Sequence, residues 1–346
     1  MYGDSSVAVV VPAYNEENHV ADVLQDIPAF VDRVYAIDDQ SSDGTWDEIL
    51  RVADEEADEQ TVTDGGTASE GYPTADDTDH PTIPSPDLDG VETPTDGRIV
   101  PIKHEVNRGA GGALKTGFER AMEDEMDVTV TLDADGQMDP GLMDGFVEPI
   151  AEGEADYTKG NRLARAEHRA KMPTFRLVGN WMLSVLTKVA SGYWHVMDPQ
   201  NGYTAISLDA LEAIDLDAVG NDHEYTNDML VQLNVEEMRV VDVPMEAKYG
   251  DEESTISLTG FVPMTSMTLL RGFFRRLYER YVARNFHPLS LFYGIGVVAI
   301  VAGVIRKLLS DDDDTSLLVA LQGVFFVLVG MALDHYENAT NGGDDR

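Results

Sequence analysis

The sequence predicts an α/β domain built on a mostly parallel sheet, followed by an apolar helical hairpin. Three observations carry that expectation. Short β-branched runs alternate with helical stretches through the first two-thirds of the 346 residues, a rhythm that calls for parallel pairing and right-handed crossovers. Several of those runs stop in sharp acidic loops, and ligands of such sheets bind outside the carboxyl ends of the strands. Near the end, residues 288–305 and 315–333 carry no charge for eighteen and nineteen residues, close to the length that crosses a hydrocarbon core.

Residues 7–11 read as a buried strand that gives way at Pro12 to Ala13-Tyr14-Asn15-Glu16, because proline cannot continue a central ladder. Asn15 is expected to cap a helix over about 16–26 with acids in its first turn. Residues 31–37 make the next strand, which ends in Asp38-Asp39-Gln40-Ser41-Ser42-Asp43-Gly44-Thr45 before a helix over 46–52. Residues 54–97 break the pattern: fourteen acids, no Lys or Arg and little apolar periodicity read as a disordered or loosely held insertion. A strand over 98–102 then leads to NRGAGGALKTG, residues 107–117, and a helix to about 126. Its glycines let backbone come close to a partner, and with Arg108 and Lys115 they predict a phosphate-facing helix start. The spacing is not a Walker A loop and no GxGxxG follows the first strand, so neither a P-loop NTPase nor a Rossmann dehydrogenase is supported.

TVTLDADGQ, residues 129–137, is the stretch with the sharpest chemistry. Val128, Val130 and Leu132 make a strand that ends in Asp133 and Asp135, followed by Gly136 and Gln137. Two carboxylates so close repel and resist joint desolvation unless a cation sits between them. A hard ion such as Mg²⁺ or Mn²⁺ takes one or two carboxylates and leaves other positions to phosphate oxygens. The expectation is a diphosphate-and-metal site; the plainer alternative is an acidic turn. Residues 156–162 form another strand end, followed by Arg162, Arg165, Arg169, Lys171 and Arg176 in a chain with only 24 Lys and Arg. That clustering points to an anionic group received there; an ordinary exposed helix charge is the alternative for Arg176. Asp198-Pro199-Gln200-Asn201-Gly202-Tyr203 enters a further strand, and Asp198 is either a second functional carboxylate or an Asp-Pro turn. His195 and His223 lack companions at ligand spacing. Residues 240–243 read as the last strand, and 249–254 as a polar loop.

A formal charge of −40 suits a solvated surface in a high-salt cytoplasm, where screening removes most self-repulsion; a haloarchaeal source is expected. So negative a surface argues against nucleic acid as a partner. With no cysteine, neither disulfides nor thiolate metal sites are available. The first apolar run is too short, and lacks the basic flank, for a signal peptide. Leu269, Leu270, Phe273, Phe274, Leu277, Tyr278 and Tyr281 repeat at helical spacing with Arg271, Arg275, Arg276, Arg280 and Arg284 between them. Such a helix is expected to lie in a bilayer interface with its arginines on anionic head groups; packing on the globular domain is the alternative. The basic flank places the large domain in the cytoplasm and returns the tail there, so the sequon at Asn338 is discounted. The expected division is a globular α/β domain 1–257, an amphipathic helix 258–287, a membrane hairpin 288–335 and a polar tail 336–346.

VVVPAYNEE, IDDQSSDGT, NRGAGGALKTG, LDADGQ, GNR, DPQNGYTAIS and YGDEES, in this order, resemble the GT-A glycosyltransferases of family 2. The resemblance is to the dolichyl- and polyprenyl-phosphate hexosyltransferase branch, dolichol-phosphate mannose synthase-like, and spans about residues 6–257 apart from the acidic insertion. It implies that Pro12, Ala13, Tyr14, Glu16, Asp38 and Asp39 hold a nucleotide sugar. It also implies that Asp133, Ala134 and Asp135 meet its diphosphate, with Mg²⁺ or Mn²⁺ on Asp133, Asp135 and Gln137. Lys115 is expected to steady the departing diphosphate. Arg162 and Arg176 would receive the acceptor phosphate, and Asp198 would orient first and act as base second. Asp135, Asp198, Arg162 and Arg176 are thus the expected catalytic set. Two departures, Tyr249 and Glu253 in place of Arg and Lys, and DADGQM in place of a His-Pro-Pro continuation, tilt the donor from GDP-mannose to a UDP-hexose. The absence of QxxRW argues against chain elongation. The implied reaction is inverting hexosyl transfer to dolichyl phosphate at the bilayer, serving protein N-glycosylation, and a homo-oligomer is compatible with it. A silent scaffold of the same fold, a transferase with another acceptor, or a nucleotidyltransferase are the alternatives; the last would want a lysine-bearing glycine loop after the first strand and no hairpin.

Overall fold

A computed structural model describes residues 1–63, 97–165, 174–246, 258–284, 286–309 and 313–339. Most of the acidic insertion, Arg169, Lys171 and the polar loop with Tyr249 and Glu253 lie outside the described residues. Strands β1 (Val7–Ala13), β2 (Arg33–Asp38), β3 (Ile99–Lys103), β4 (Val128–Thr131), β5 (Tyr157–Asn161), β6 (Thr204–Ser207) and β7 (Val240–Pro244) form one sheet. Their order is β3–β2–β1–β4–β6–β5–β7. β6 runs antiparallel to β4 and β5, and the other pairings are parallel.

The β-branched run of β1 is continuous because both faces are covered. Val7, Val9 and Val11 pack with α1 (Val20–Gln25), α2 (Thr45–Thr63) and α4 (Asp144–Ala151). Ala8 and Val10 pack with α3 (Ala110–Glu123), α6 (Leu208–Ala213) and α7 (Tyr225–Val235). Pro12 does not end the strand as expected. Leu132 N–H donates to Val10 O, so even-numbered residues face β4, and that ladder ends at Val10 opposite Thr131. The missing N–H of Pro12 therefore breaks no pair, and β1 runs on to Ala13 opposite Asp38.

Two further expectations are corrected. Asn15 does not cap α1, which starts at Val20 without a side-chain cap. Asn15 takes a left-handed backbone, φ 58°, and its Oδ1 accepts from Ser42 N–H at 2.8 Å, tying the loop after β1 to the loop after β2. α2 continues to Thr63, well into the stretch expected to be disordered. Glu, Ala and Gln there are strong helix formers, Arg51 bridges Glu48 and Glu55 one turn away on either side, and Glu56 pairs with Arg98.

At the C-terminal end, α5 (Thr174–Ser191) packs on α8 (Leu258–Tyr278) through Leu183, Ala190, Leu269 and Phe273. A π-helical turn, Glu279–Arg284, leads to α9 (Pro288–Leu309) and α10 (Asp313–Glu337). Both are long and apolar enough to cross a membrane, with mean hydropathy 2.2 and 2.3, and only 22% and 17% of their apolar windows are buried. Helices in the core of a soluble domain would be mostly covered; these are candidate membrane spans. They approach closely at glycine: a methyl on Gly303 would lie 2.7 Å from Ala320 N, and one on Gly296 2.9 Å from Gly323 O, the small-residue contact of membrane helix pairs.

The arginines of α8 are not spread over a head-group face. Arg276 is fully buried; its Nε donates to Ala190 O at 2.9 Å, its Nη2 to Val189 O at 3.1 Å, and its two Nη grip Asp334 at 2.8 and 2.7 Å. Arg280 reaches Asn234 O and Asn338 Oδ1, and Arg284 reaches Val235 O and Glu236. Arg275 pairs with Asp215 and Glu279. The unpaired carbonyls and negative dipole end at the C-termini of α5 and α7 attract these cations, so packing on the globular domain prevails. Arg271 is exposed and lines a cavity between α3, α7 and α8.

Candidate active site

Five loops meet at the carboxyl edge of β1, β2, β4 and β5 and the entry of β6. Tyr14 is exposed there, beside Ala13 buried at the end of β1. Glu16 N–H donates to Thr45 Oγ1 at 2.7 Å, and its carboxylate bonds His19 Nδ1 at 3.2 Å. Asp38 is fully buried; its Oδ1 accepts from Ser41 N–H, and Lys103 Nζ stands 3.7 Å from its Oδ2. Asp39 is buried too, but turned inward: its oxygens accept from His104 Nδ1 at 2.7 Å and from the N–H groups of Arg108 and Gly109 at 2.8 and 2.9 Å. His104 Nε2 continues to Thr116 Oγ1 at 2.9 Å.

The start of α3 is therefore not the phosphate cradle expected from its glycines. Asp39 occupies the Arg108 and Gly109 N–H groups, and Asn221 O takes Gly112 N–H at 3.0 Å. A methyl on Gly111 would meet Gly220 O at 2.3 Å, so that glycine serves the close approach of the 220–222 loop. Lys115 donates to Asn221 Oδ1 at 2.8 Å and lines a cavity of about 470 Å³ with Asp228 and Arg271, between α3, α7 and α8. In this geometry Lys115 is engaged away from the acidic pair.

β4 ends just before that pair. Asp133 and Asp135 are half-buried, Ala134 between them is buried, and Asp135 Oδ1 accepts from Gln137 N–H at 2.9 Å around a left-handed Gly136. Burial first, and then the Asp135 carboxylate, pushes Asp133 up to about 7, with Arg162 opposing and Glu16 adding to the rise. The four groups thus share one field at this edge.

Arg162 leaves β5 and is held bidentate by Asp198, Nε to Oδ2 at 2.7 Å and Nη2 to Oδ1 at 2.8 Å. Asp198 is fully buried in a left-handed backbone, φ 54°, with its N–H on Ser184 Oγ at 3.2 Å. Burial raises its carboxyl, but the Arg162 hydrogen bonds and charge, with Lys159, bring it below the usual range. Lys159, which sequence reading missed, is fully buried on β5, and its ammonium donates to the carbonyls of Asp198, Met197 and Gly160. Burial lowers it to about 8, against the opposing charges of Asp198 and Asp242. Asp242 on β7 accepts from Asn161 Nδ2 at 2.7 Å and Met197 N–H at 2.8 Å, closing the support beneath the Asp198 turn. Tyr225 on α7 was also missed: a methyl on Gly202 would lie 2.9 Å from its hydroxyl and 3.2 Å from Asp133 Oδ2. A lysine inside a strand and a tyrosine at a helix start leave no motif to find. Arg176 falls in α5, with its side chain outside the described residues, and His195 is structural, bonding Val240 O at 2.9 Å.

Comparison with known proteins places this architecture. The profile of glycosyl transferase family 2 matches residues 88–215. An undecaprenyl-phosphate mannosyltransferase from Micrococcus luteus is 30% identical over 184 residues, 51% of this chain and 74% of that protein. A UDP-N-acetylglucosamine–dolichyl-phosphate N-acetylglucosaminyltransferase from Methanococcus voltae is 27% identical over 249 residues, 72% of this chain and 88% of that protein. Glucosyl-3-phosphoglycerate synthase from Mycobacterium tuberculosis, solved with Mn²⁺, UDP and glucosyl-3-phosphoglycerate, superposes with a TM-score of 0.50 at 14% identity, covering 79% of this chain and 80% of that one. That last likeness is one of fold, the GT-A fold the motifs implied. The chain belongs to glycosyl transferase family 2. Its class of activity is glycosyl transfer.

Proposed function

We propose that this protein transfers a hexose from a nucleotide sugar, a UDP-hexose rather than GDP-mannose, to dolichyl phosphate with inversion, at the cytoplasmic face of a membrane and in the service of protein N-glycosylation. The observation that carries this reading is the opposition, at one sheet edge, of the Asp133–Asp135 pair and an arginine fixed by Asp198, in a chain that ends in two candidate spans. The names of the Methanococcus and Micrococcus relatives, both polyprenyl-phosphate transferases, support the acceptor, and the former supports the uridine donor.

The donor set fits a hard divalent cation. Asp133 and Asp135 offer only oxygen, and burial first, then the charge of Asp135, raises the Asp133 carboxyl. No group of three His, Cys, Asp or Glu side chains able to hold a metal occurs among the described residues, so Mg²⁺ or Mn²⁺ on this pair would complete its shell with diphosphate oxygens and water. Such an ion supplies charge stabilisation to the departing nucleoside diphosphate. The protein's own residues do the rest. Arg162, held in one orientation by Asp198 beneath it, presents a fixed guanidinium to the acceptor phosphate. Asp198 is a positioning residue: a lowered carboxyl carrying Arg162 on both oxygens is a poor base. None is required, because a phosphate monoester with a second pKa of about 6 is already a dianion near neutrality. Attack opposite the leaving group inverts the anomeric centre.

The test is made in multimolar KCl with dolichyl phosphate in proteoliposomes, Mg²⁺ or Mn²⁺, and radiolabelled UDP- and GDP-sugars including UDP-N-acetylglucosamine. Label entering the lipid phase from one donor, and lost in Asp135→Ala, is the expected result. Donor binding with no lipid label from any sugar would overturn the acceptor.

A further inference from the structure

The junction at the catalytic side of the hairpin is built far more firmly than an anchor needs. Arg276 is enclosed on every side: carbonyls of Val189 and Ala190 at the end of α5, the Asp334 carboxylate near the end of α10, and the rings of Phe273 and Tyr281 at about 6 Å. Gly192, φ 82°, leaves room for it, since a methyl there would stand 2.5 Å from Nη1. Asp334 accepts in addition from Tyr281 Oη at 3.2 Å and Asn338 Nδ2 at 2.9 Å. Asn338 Oδ1 then receives Arg280 Nη1 at 2.7 Å and Asn234 Nδ2 at 2.8 Å, at the end of α7. The returning span thus locks the C-termini of two catalytic-domain helices. Both lead to the site. Ser184 in α5 holds the Asp198 backbone, Thr187 in α5 bonds Asn227 in α7, and α7 opens with Tyr225 beside Asp133.

We infer that Asp334 and Asn338 are positioning residues for the transfer reaction: through Arg276 and Arg280 they register the active site against the bilayer, so that it meets a phosphate carried on a lipid at a fixed height. The inference rests on the lipid-phosphate acceptor proposed above. A buried arginine–carboxylate pair is a poor way to gain stability, since apolar side chains of the same volume do as well, but a good way to fix one arrangement of elements. Removing only the charge leaves the guanidinium without its counter-ion and lets the hairpin rock against the domain.

The full chain in lipid nanodiscs tests this with Asp334→Asn, and with the apolar pair Arg276→Met/Asp334→Leu as a second variant that leaves no buried charge unpaired. Two acceptors are compared, dolichyl phosphate in the bilayer and a water-soluble short-chain prenyl phosphate, with the donor that labels either. The expected result for Asp334→Asn is a KM for dolichyl phosphate raised about tenfold or more, with kcat/KM for the short acceptor within about twofold of the parent, and faster amide exchange at 188–192. The apolar pair is expected to keep the short-acceptor rate and show the same KM rise. Equal losses on both acceptors would mean a merely structural role and would overturn the inference, as would a KM that does not move in either variant. A parent chain idle on both acceptors would overturn the acceptor reading instead; the junction then stands or falls on the exchange rates at 188–192, unchanged protection in Asp334→Asn refuting it.

Discussion

Arg162, Asp198, Lys159 and Asp242 alternate in sign through one largely buried patch, and each is costly to leave without its neighbour. Asp198→Asn removes the bidentate partner of Arg162 and one of the two carboxylates that offset the Lys159 charge. The expected loss is about 3–5 kcal/mol of stability and at least a hundredfold in kcat/KM for the acceptor, read from melting curves and initial rates. Arg162→Lys should fare nearly as badly in rate, because an ammonium cannot hold both carboxylate oxygens in one plane. A second residue-scale prediction concerns Asp228, which burial and the Glu224 charge raise to about 6 even though it accepts from Gly220 N–H at 3.0 Å. A carboxyl raised in the folded state binds its proton more tightly there than when unfolded. The charged form is thus a burden that is complete above about pH 6 and vanishes as the pH falls below about 4. Asp228→Asn should stabilise the chain by about 1–2 kcal/mol at pH 7, with the gain gone at pH 4; a gain equal at both pH values would refute the cause.

At the scale of elements, α8 offers a sharp contrast within one helix. Arg276 is fully enclosed and Arg271 exposed, so Arg276→Ala should destabilise the chain in detergent by about 3–5 kcal/mol and Arg271→Ala by no more than about 0.5 kcal/mol. Equal effects would restore the head-group picture that the sequence suggested. That picture failed for a physical reason. Periodicity shows that arginines flank an apolar stripe, but not what they face, and the partner of Arg276 lies 58 residues on, at the polar end of a hydrophobic span. The strand ends fared better, since β-branched runs that stop at Asp133, Asp39 or Asn161 report both burial and the edge where ligands bind. The carboxylates and Arg162 were legible from that edge. Lys115 was not: a lysine one turn into a glycine-rich helix start suits a phosphate or an asparagine equally, and only the 220–222 loop decides. The extent of α2 was hidden by composition, because a solvated acidic helix and a disordered acidic segment are spelled with the same residues. α5 is the helix expected to open at Arg176. It exposes Trp181, Met182, Val185 and Leu186, and α8, packed on it through Leu269 and Phe273, exposes Leu270 and Phe274.

Taken whole, the molecule carries forty excess negative charges, and its stability should depend on salt accordingly. Moving from multimolar KCl to about 0.1 M lengthens the screening distance from under about 3 Å to about 10 Å, enough for neighbouring carboxylates to repel across the surface. The melting temperature should fall steadily over that range, and a flat response would count against the high-salt reading. The topology has a consequence of another kind. β6 comes later in the chain than β4 and β5, yet it lies between them and runs the opposite way. As the polypeptide leaves the ribosome, β3, β2, β1 and β4 can zip together as they come, but β5 has no neighbour waiting for it. Only when the 204–207 segment wedges into the gap do Asp198 and Arg162 arrive beside Asp133. The Asp133 side of this edge is built early from near neighbours, whereas the Asp198–Arg162 side waits on a distant insertion. Synthesis therefore completes this edge only when the candidate spans are close to emerging.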